Sequence, residues 1–270
     1  MQEFIQVGLQ NTSQDRRVRG AVLGTAIDVV DWSTALSRIA AWAEAHESRI
    51  VCICNSHSVV TSTQDAHFKN IIESADMATP DGAPVASMLR KTGYAHQQRI
   101  NGPDLMWKYC ALAAHRNERI YLYGGQADML GILQQRLLSA FPGLQIAGAY
   151  SPPYRAPTLA EDSADIARIN ASGAGTVWVS LGCPKQEQWM DRHRGKIHAV
   201  MIGVGAAFDY HAGTLQRAPL WMQNAGLEWL YRVIKEPRRL WRRYLVTNTL
   251  FVMGAAWQLS IGRWWRDAKQ

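Results

Sequence analysis

"RIYLYGGQADMLGILQQRLLSAFPGLQIAGAY", Arg119 to Tyr150, decides the fold. "RIYLYGG" (119–125) is a short β-rich apolar run ending on a glycine pair, and residues 127–140 then place apolar side chains at helical spacing. Pro142-Gly143 stops the helix, and "LQIAGAY" (144–150) starts a second β-rich run. Strand, helix and strand in that order form the unit of a parallel sheet, because parallel neighbours need a crossover long enough to hold a helix.

The same alternation extends both ways. Further β-rich runs occupy 21–30, 49–55, 76–79, 176–182 and 199–205, with candidate helices near 32–46, 56–74, 81–91, 103–116, 158–171 and 185–194. The expected fold is α/β, a Rossmann-like, mostly parallel sheet with covering helices, plus a basic helical C-terminal appendage. Residues 1–20 lack an apolar signal core and read as a flexible lead-in, 21–216 as the α/β core, and 217–270 as the appendage.

Charge separates core from appendage. The net charge is +7, and residues 217–270 hold ten Lys and Arg against three acids, Glu228, Glu236 and Asp267, leaving 19 of each sign before them. Trp221, Trp229, Trp241, Trp257, Trp264 and Trp265 fall in the same segment. A neutral body with a basic, Trp-rich tail points to an anionic partner, lipid headgroups or nucleic acid. Cys52, Cys54, Cys110 and Cys183 make no C-x-x-C and have no matching His spacing, so they read as reduced thiols, with Cys52 and Cys54 on one face of a strand.

Polar or glycine-bearing turns follow strand after strand: Asn55-Ser56-His57, Thr79-Pro80-Asp81-Gly82, Gly124-Gly125, Gly182-Cys183-Pro184-Lys185-Gln186-Glu187, and Gly203-Val204-Gly205 leading to Phe208-Asp209. Open α/β sheets bind ligands at the carboxyl ends of their strands, so these turns are expected to converge on one crevice. The chain has no G-x-x-x-x-G-K-[ST] phosphate loop, and "GVGAAF" carries Phe208 where a dinucleotide fingerprint has its third glycine; an NAD-dependent oxidoreductase is the weaker alternative. No Asp-x-Asp follows a strand to hold a metal against a diphosphate, so arginines and helix N-termini are the expected substitutes. Gly124-Gly125 suits either a backbone close to a nucleotide or a tight strand-to-helix turn. Pro184 is expected at the first position of a helix, with Lys185 in its first turn against the dipole's preference for acids.

"MATPDGAPVASML" (77–89) poses the sharpest question. Pro-Asp-Gly is a common turn and Asp a favoured helix cap, so Asp81 reads either as a structural cap or as a catalytic carboxylate at a strand end. A cap role would stabilise its charged form and weaken it as a base.

In order, "ATPDGAPV", "RINGPDL", "IYLYGG", "SLGCPKQEQWM", "GVGAAFDYHAG" and "RAPLWMQNAGLEWLYRVIKEPRRLWRRYL" resemble the WecG/TagA/CpsF family of bacterial glycosyltransferases over about residues 20–245. The resemblance implies inverting, metal-independent transfer of a sugar, N-acetylmannosamine, its uronic acid or glucose, from a UDP-sugar to a polyprenyl-diphosphate-linked sugar in cell-surface polysaccharide synthesis. It implies no cofactor beyond the donor substrate, and a peripheral place on the cytoplasmic face of the bacterial inner membrane. Asp81 would be the base, with Arg99 and Gln186 tied to activity. Asn55, Thr79, Gly124, Gly125, Gly182, Lys185, Glu187, Gly205, Phe208 and Asp209 would contact substrate. Ile53 stands where the family often has Thr, so no hydroxyl is available there.

The tail "EWLYRVIKEPRRLWRRYLVTNTLFVMGAAWQLSIGRWW" begins amphipathic and then runs uncharged from Tyr244 to Gly262. Thr247, Asn248, Thr249, Gln258 and Ser260 argue against a spanning helix and for an interfacial one on an anionic membrane. The alternatives are a helix packed on the core or on a sister subunit of a homo-oligomer, or a nucleic-acid-binding segment, which would leave the strand-end motifs unexplained. Arg232, Arg238, Arg239 or Arg242 is expected to reach the departing diphosphate.

Overall fold

The computed structural model describes residues 17–267, side chains at 224, 239 and 262–267 excepted. The expected lead-in falls mainly outside them, although Arg17 and the first strand are already in place. β1 (Arg19–Val22) and β2 (Thr25–Asp28) form an antiparallel hairpin. The run 21–30 is therefore two strands turning at Leu23-Gly24, separate from the main sheet.

Six strands make that sheet: β3 (Arg49–Cys54), β4 (Met77–Pro80), β5 (Arg119–Gly124), β6 (Gln145–Tyr150), β7 (Thr176–Ser180) and β8 (Val200–Gly203). Their order is β4-β3-β8-β7-β5-β6, and every pairing is parallel. Helices cover both faces, which is why the central strands read as unbroken apolar runs. In β3, Val51 and Ile53 enter one core cluster, while Ile50, Cys52 and Cys54 enter the other. All four cysteines are free thiols, and burial pushes Cys52 and Cys54 up.

The core helices are α1 (Trp32–Glu44), α2 (Ser56–Gln64), α3 (Ala66–Ser74), α4 (Ala83–Lys91), α5 (Gly102–Arg116), α6 (Ala127–Ala140), α7 (Leu159–Ala171), α8 (Lys185–Arg192) and α9 (Ala207–Ala212). The predicted helix 56–74 is two helices. Asp65 breaks it, taking an extended backbone and accepting from Phe68 N at 3.0 Å to cap α3. α7 carries a capping box, Thr158 with Glu161.

The tail forms α10 (Leu220–Asn224), α11 (Glu228–Lys235) and α12 (Pro237–Asp267). α12 lies along α2, Phe251 is buried in the core cluster that includes Cys52, and Gln258 clasps the hairpin by donating to Ala21 O and accepting from Leu23 N. The tail is thus docked on the body. Among the described residues, no helix is long and apolar enough to cross a membrane.

Asp28 ties the hairpin to the sheet. Its carboxylate is 1% exposed, takes two hydrogen bonds from Arg17 at 2.6 and 2.8 Å, and accepts from Ala78 N in β4 at 2.5 Å. Asp28→Ala leaves a buried N–H unpaired and removes the buried partner of Arg17. The expected loss is about 3 kcal/mol, read as a lower urea midpoint with an unchanged slope.

Candidate active site

All six parallel strands end on one edge, where a cleft of about 1520 Å³ opens. The turns after β3, β4, β5, β7 and β8 form its floor, residues 150 and 152–157 form one wall, and α11 with the start of α12 forms the other. Those walls come from distant parts of the chain, and Glu228, Arg232 and Arg243 bring tail side chains to the cleft.

Asp81 follows β4 and is fixed by its own N–H, which donates to Cys54 O at 2.9 Å. The expected cap role is not what the backbone shows. Gly82, at φ 82°, is the N-cap of α4, and no side chain caps that helix. This left-handed conformation suits glycine, and it leaves the Asp81 carboxylate in the cleft rather than on the helix terminus. Burial pushes the Asp81 carboxyl above its ordinary value; Arg99 opposes this and Glu228 reinforces it. The weakening expected of a capping Asp is therefore reversed.

Arg99 lies between two carboxylates. Its Nε and Nη2 are each 3.4 Å from Asp81 Oδ1, whereas Nη2 donates to Glu228 Oε2 at 2.6 Å. Glu228 also lies 3.9 Å from Arg217 Nε, and Arg217 in turn pairs with Asp104 and donates to Asn101 Oδ1 at 3.3 Å. Asn101 caps α5, so this charge network ends on a fixed helix terminus.

On the β7 side, Pro184 is the N-cap of α8 rather than its first helical residue, and the Cys183–Pro184 peptide is cis. Lys185 opens the helix with Nζ 4.8 Å above the Tyr154 ring. Gln186 lies against Gly203 and Gly205, donates to Glu187 Oε1 at 2.9 Å, and leaves its buried Oε1 without a partner. Glu187 is fully buried, and burial pushes it up to about 7 against the pull of Gln186 and Cys183. His57, half-buried, is pushed down to about 4 by burial and by Arg243, so it is neutral near pH 7.

The predicted residues divide by depth. Asn55, Asp81, Arg99, Gly125, Gly182, Lys185, Gln186, Gly205, Asp209 and Arg232 line the cleft. The Asn55 amide oxygen is already occupied in capping α2, accepting from His57 N and Ser58 N at 2.9 and 3.2 Å. Thr79, Glu187 and Phe208 are sealed beneath the floor, with Thr79 donating to Ile100 O. Gly124 serves the sheet: at φ 109°, a Cβ there would meet Ser180 O at 2.4 Å, and the next N–H, of Gly125, is spent on that same oxygen. Arg238 and Arg242 are exposed outside the cleft, and the Arg239 side chain lies outside the described residues.

Sequence reasoning missed Glu228, Arg217, Arg243 and the 152–157 wall. Glu228 had a signal, being one of three acids in a basic segment. The wall had none, since Pro, Tyr and Arg after a strand are ordinary loop residues. Among the described residues, no three His, Cys, Asp or Glu side chains gather as metal ligands.

A parallel sheet with a carboxylate, an arginine and an amide converging at its carboxyl edge defines an α/β protein with an enzyme-type cleft. The Glycosyl transferase WecG/TagA/CpsF family matches residues 21–264, and the chain belongs to that family; it is a glycosyltransferase. It is similar to the N-acetylglucosaminyldiphosphoundecaprenol N-acetyl-beta-D-mannosaminyltransferase of Bacillus subtilis (strain 168), 34% identical over 73% of this chain and 75% of the relative. The protein of the same name from Bacillus spizizenii is 31% identical over 75% and 77%. Neither the oxidoreductase nor the nucleic-acid alternative finds support in these likenesses.

A raised carboxyl makes stability depend on pH. The folded form of Glu187 holds its proton to about 7, well above an unfolded Glu at roughly 4.3. Its stabilising contribution is full below that unfolded value and is lost as pH rises through 7. Glu187→Gln is expected to flatten the decline in melting temperature between pH 5 and 8, worth at most about 3 kcal/mol.

Proposed function

We propose that this glycosyltransferase moves a sugar from a UDP-sugar to a polyprenyl-diphosphate-linked sugar, with inversion and without a metal, in cell-surface polysaccharide assembly. The observation that carries the reading is Asp81, a partly buried carboxyl at a strand end that faces the cleft 3.4 Å from Arg99. The names of the relatives support an N-acetylglucosaminyl-diphosphoundecaprenol type of acceptor, and put N-acetylmannosamine ahead of its uronic acid and glucose as the donor sugar.

In this reaction Asp81 accepts the proton of the acceptor hydroxyl as that oxygen bonds to the anomeric carbon. The bond from that carbon to UDP breaks on the opposite side, and UDP leaves with the electron pair. A single displacement inverts the centre. Base catalysis of this kind requires a carboxylate close to the attacking oxygen, and the burial of Asp81 makes it a stronger base than an exposed one. Negative charge builds on the departing diphosphate, and Arg99, Lys185, Arg232 and Arg243 line the cleft to receive it. Gln186 lines the cleft against Gly203 and Gly205 with its amide nitrogen held by Glu187, and is the amide assigned to the substrate sugar. Ile53 presents an apolar floor where the family often has Thr, so that position supplies no hydrogen bond.

The lipid acceptor calls for a membrane surface. Trp221, Leu245, Val252, Met253 and Trp257 are exposed on the tail, with Arg238 and Arg242 close by in the sequence. Such a mixture suits the headgroup boundary of an anionic bilayer, in keeping with a peripheral site on the cytoplasmic face of the inner membrane.

Transfer is tested with UDP-N-acetylmannosamine and a short-chain prenyl-diphosphate N-acetylglucosamine, following UDP release and the disaccharide product. Asp81→Asn is expected to melt like the parent and to lose about 100-fold or more of kcat/KM. Near-normal turnover by folded Asp81→Asn removes Asp81 as the base. Failure of every UDP-sugar tried overturns the donor assignment.

A further inference from the structure

The general base and its arginine lie in the α/β body, but the tightest contact that arginine makes is with the tail. Glu228 Oε2 accepts from Arg99 Nη2 at 2.6 Å, while Asp81 Oδ1 is 3.4 Å from both Arg99 nitrogens that face it. A charge-assisted hydrogen bond is typically about 2.7–2.9 Å, so the Asp81 contact is a loose ion pair and the Glu228 contact a formed bond. All three side chains are less than a quarter exposed, at 17% for Asp81, 23% for Arg99 and 17% for Glu228, so the competition between the two carboxylates takes place largely out of water. Glu228 opens α11, the tail helix that forms one wall of the cleft.

We propose that Glu228 is a positioning residue for glycosyl transfer: from the docked tail it draws the Arg99 guanidinium off Asp81, leaving the Asp81 carboxylate free to take the acceptor proton. The inference rests on the assignment of Asp81 as base. With Glu228 removed, Arg99 has one carboxylate left within reach and closes on it. A carboxylate tightly bound by a guanidinium is a weaker base, because its charged form is stabilised and its lone pairs are occupied.

Each of the two carboxylates has its own set of neighbours. Asp81 is faced by Arg99 and by Glu228, and by the Gly82 backbone on its own turn. Glu228 is faced by Arg99 from the segment after α4 and by Arg217 from the segment after α9, with Tyr210 of α9 and Arg232 of its own helix nearby. Arg217 is already held by Asp104, so it keeps a partner when Glu228 is neutralised. Arg99 is left with Asp81.

The direction of the effect separates positioning from simple support of the tail. In the full chain, Glu228→Gln is expected to lower kcat about tenfold with KM little changed, and to move the acid limb of the pH profile of kcat/KM to lower pH, because Asp81 loses a neighbouring negative charge and gains a tighter arginine. Glu228→Asp, which keeps the charge on a shorter arm, is expected to recover part of both. Arg99→Ala moves the acid limb the other way, upward, since Arg99 favours the charged form of Asp81. Melting curves and limited proteolysis of the tail report whether it stays docked. Lower turnover in Glu228→Gln with the acid limb unmoved, or moved upward, overturns the proposal, as does wild-type turnover. If Glu228→Gln undocks the tail, Glu228→Asp decides: a docked Glu228→Asp protein with no shift toward the parent profile also overturns it. Asp81→Asn is run alongside, and full activity there fails the base assignment itself rather than the role of Glu228.

Discussion

Everything in this molecule follows from six parallel strands whose two faces are both buried. Parallel strands joined by covering helices all point the same way, so every strand-to-helix turn emerges at one edge. Along the strands the buried side chains are mainly apolar, with Thr79 and Thr176 among them, and the charged side chains of the cleft lie beyond the strand ends. Asn55, Asp81, Gly182 and Gly205 meet there although they are far apart in sequence, since the strand order β4-β3-β8-β7-β5-β6 brings their turns side by side. The hairpin β1–β2 and the tail pack onto this unit, and Gln258 links one to the other.

Burial then decides what each carboxyl at that edge can do. Asp81 and Glu187 are both pushed up by loss of water, but their neighbours differ. Asp81 keeps an arginine at ion-pair distance and a cleft in front of it. Glu187 lies under the floor beside the Gln186 amide, the Cys183 thiol and its own backbone, with the charge of Arg243 a lesser influence, and it holds its proton to about 7. One carboxyl is thereby suited to accept a proton from substrate, the other to brace Gln186 by accepting from its amide. The difference lies in environment rather than residue type.

Most of the fold was legible because it depends on local pattern. The seven core helices expected from apolar periodicity and breakers such as Pro142-Gly143 all exist, one of them divided by Asp65. The errors came where a short polar residue has two uses. Asp65 reads as helix interior but caps the next helix, and Asp81 reads as a cap but stands one residue ahead of it, because Gly82 takes the left-handed conformation itself. The site residues taken from motifs fell in the right turns but not at the right depth: Phe208 faces the core although Ala207 and Asp209 line the cleft, and Thr79 is buried within β4, two residues before Asp81. Alternation along a turn is not periodic, so sequence spacing carries no information on it. Glu228 was hidden for a different reason, since its partner lies 129 positions away.

The tail's charge pattern makes sense once its docked position is considered. A segment of ten basic residues and three acids suits an anionic surface along its length. Where it meets Arg99 of the body, beside its own Arg217, a positive residue would be repelled in a site with little water to screen it, and there the chain carries Glu228. The same segment exposes Trp257, Val252 and Met253 on the long helix that follows. The tail's exposed apolar residues and its contact with Arg99 therefore belong to one docked conformation. Under the proposed function, an acceptor held in a membrane would meet, in that same conformation, a base whose arginine is held more tightly by Glu228 than by Asp81.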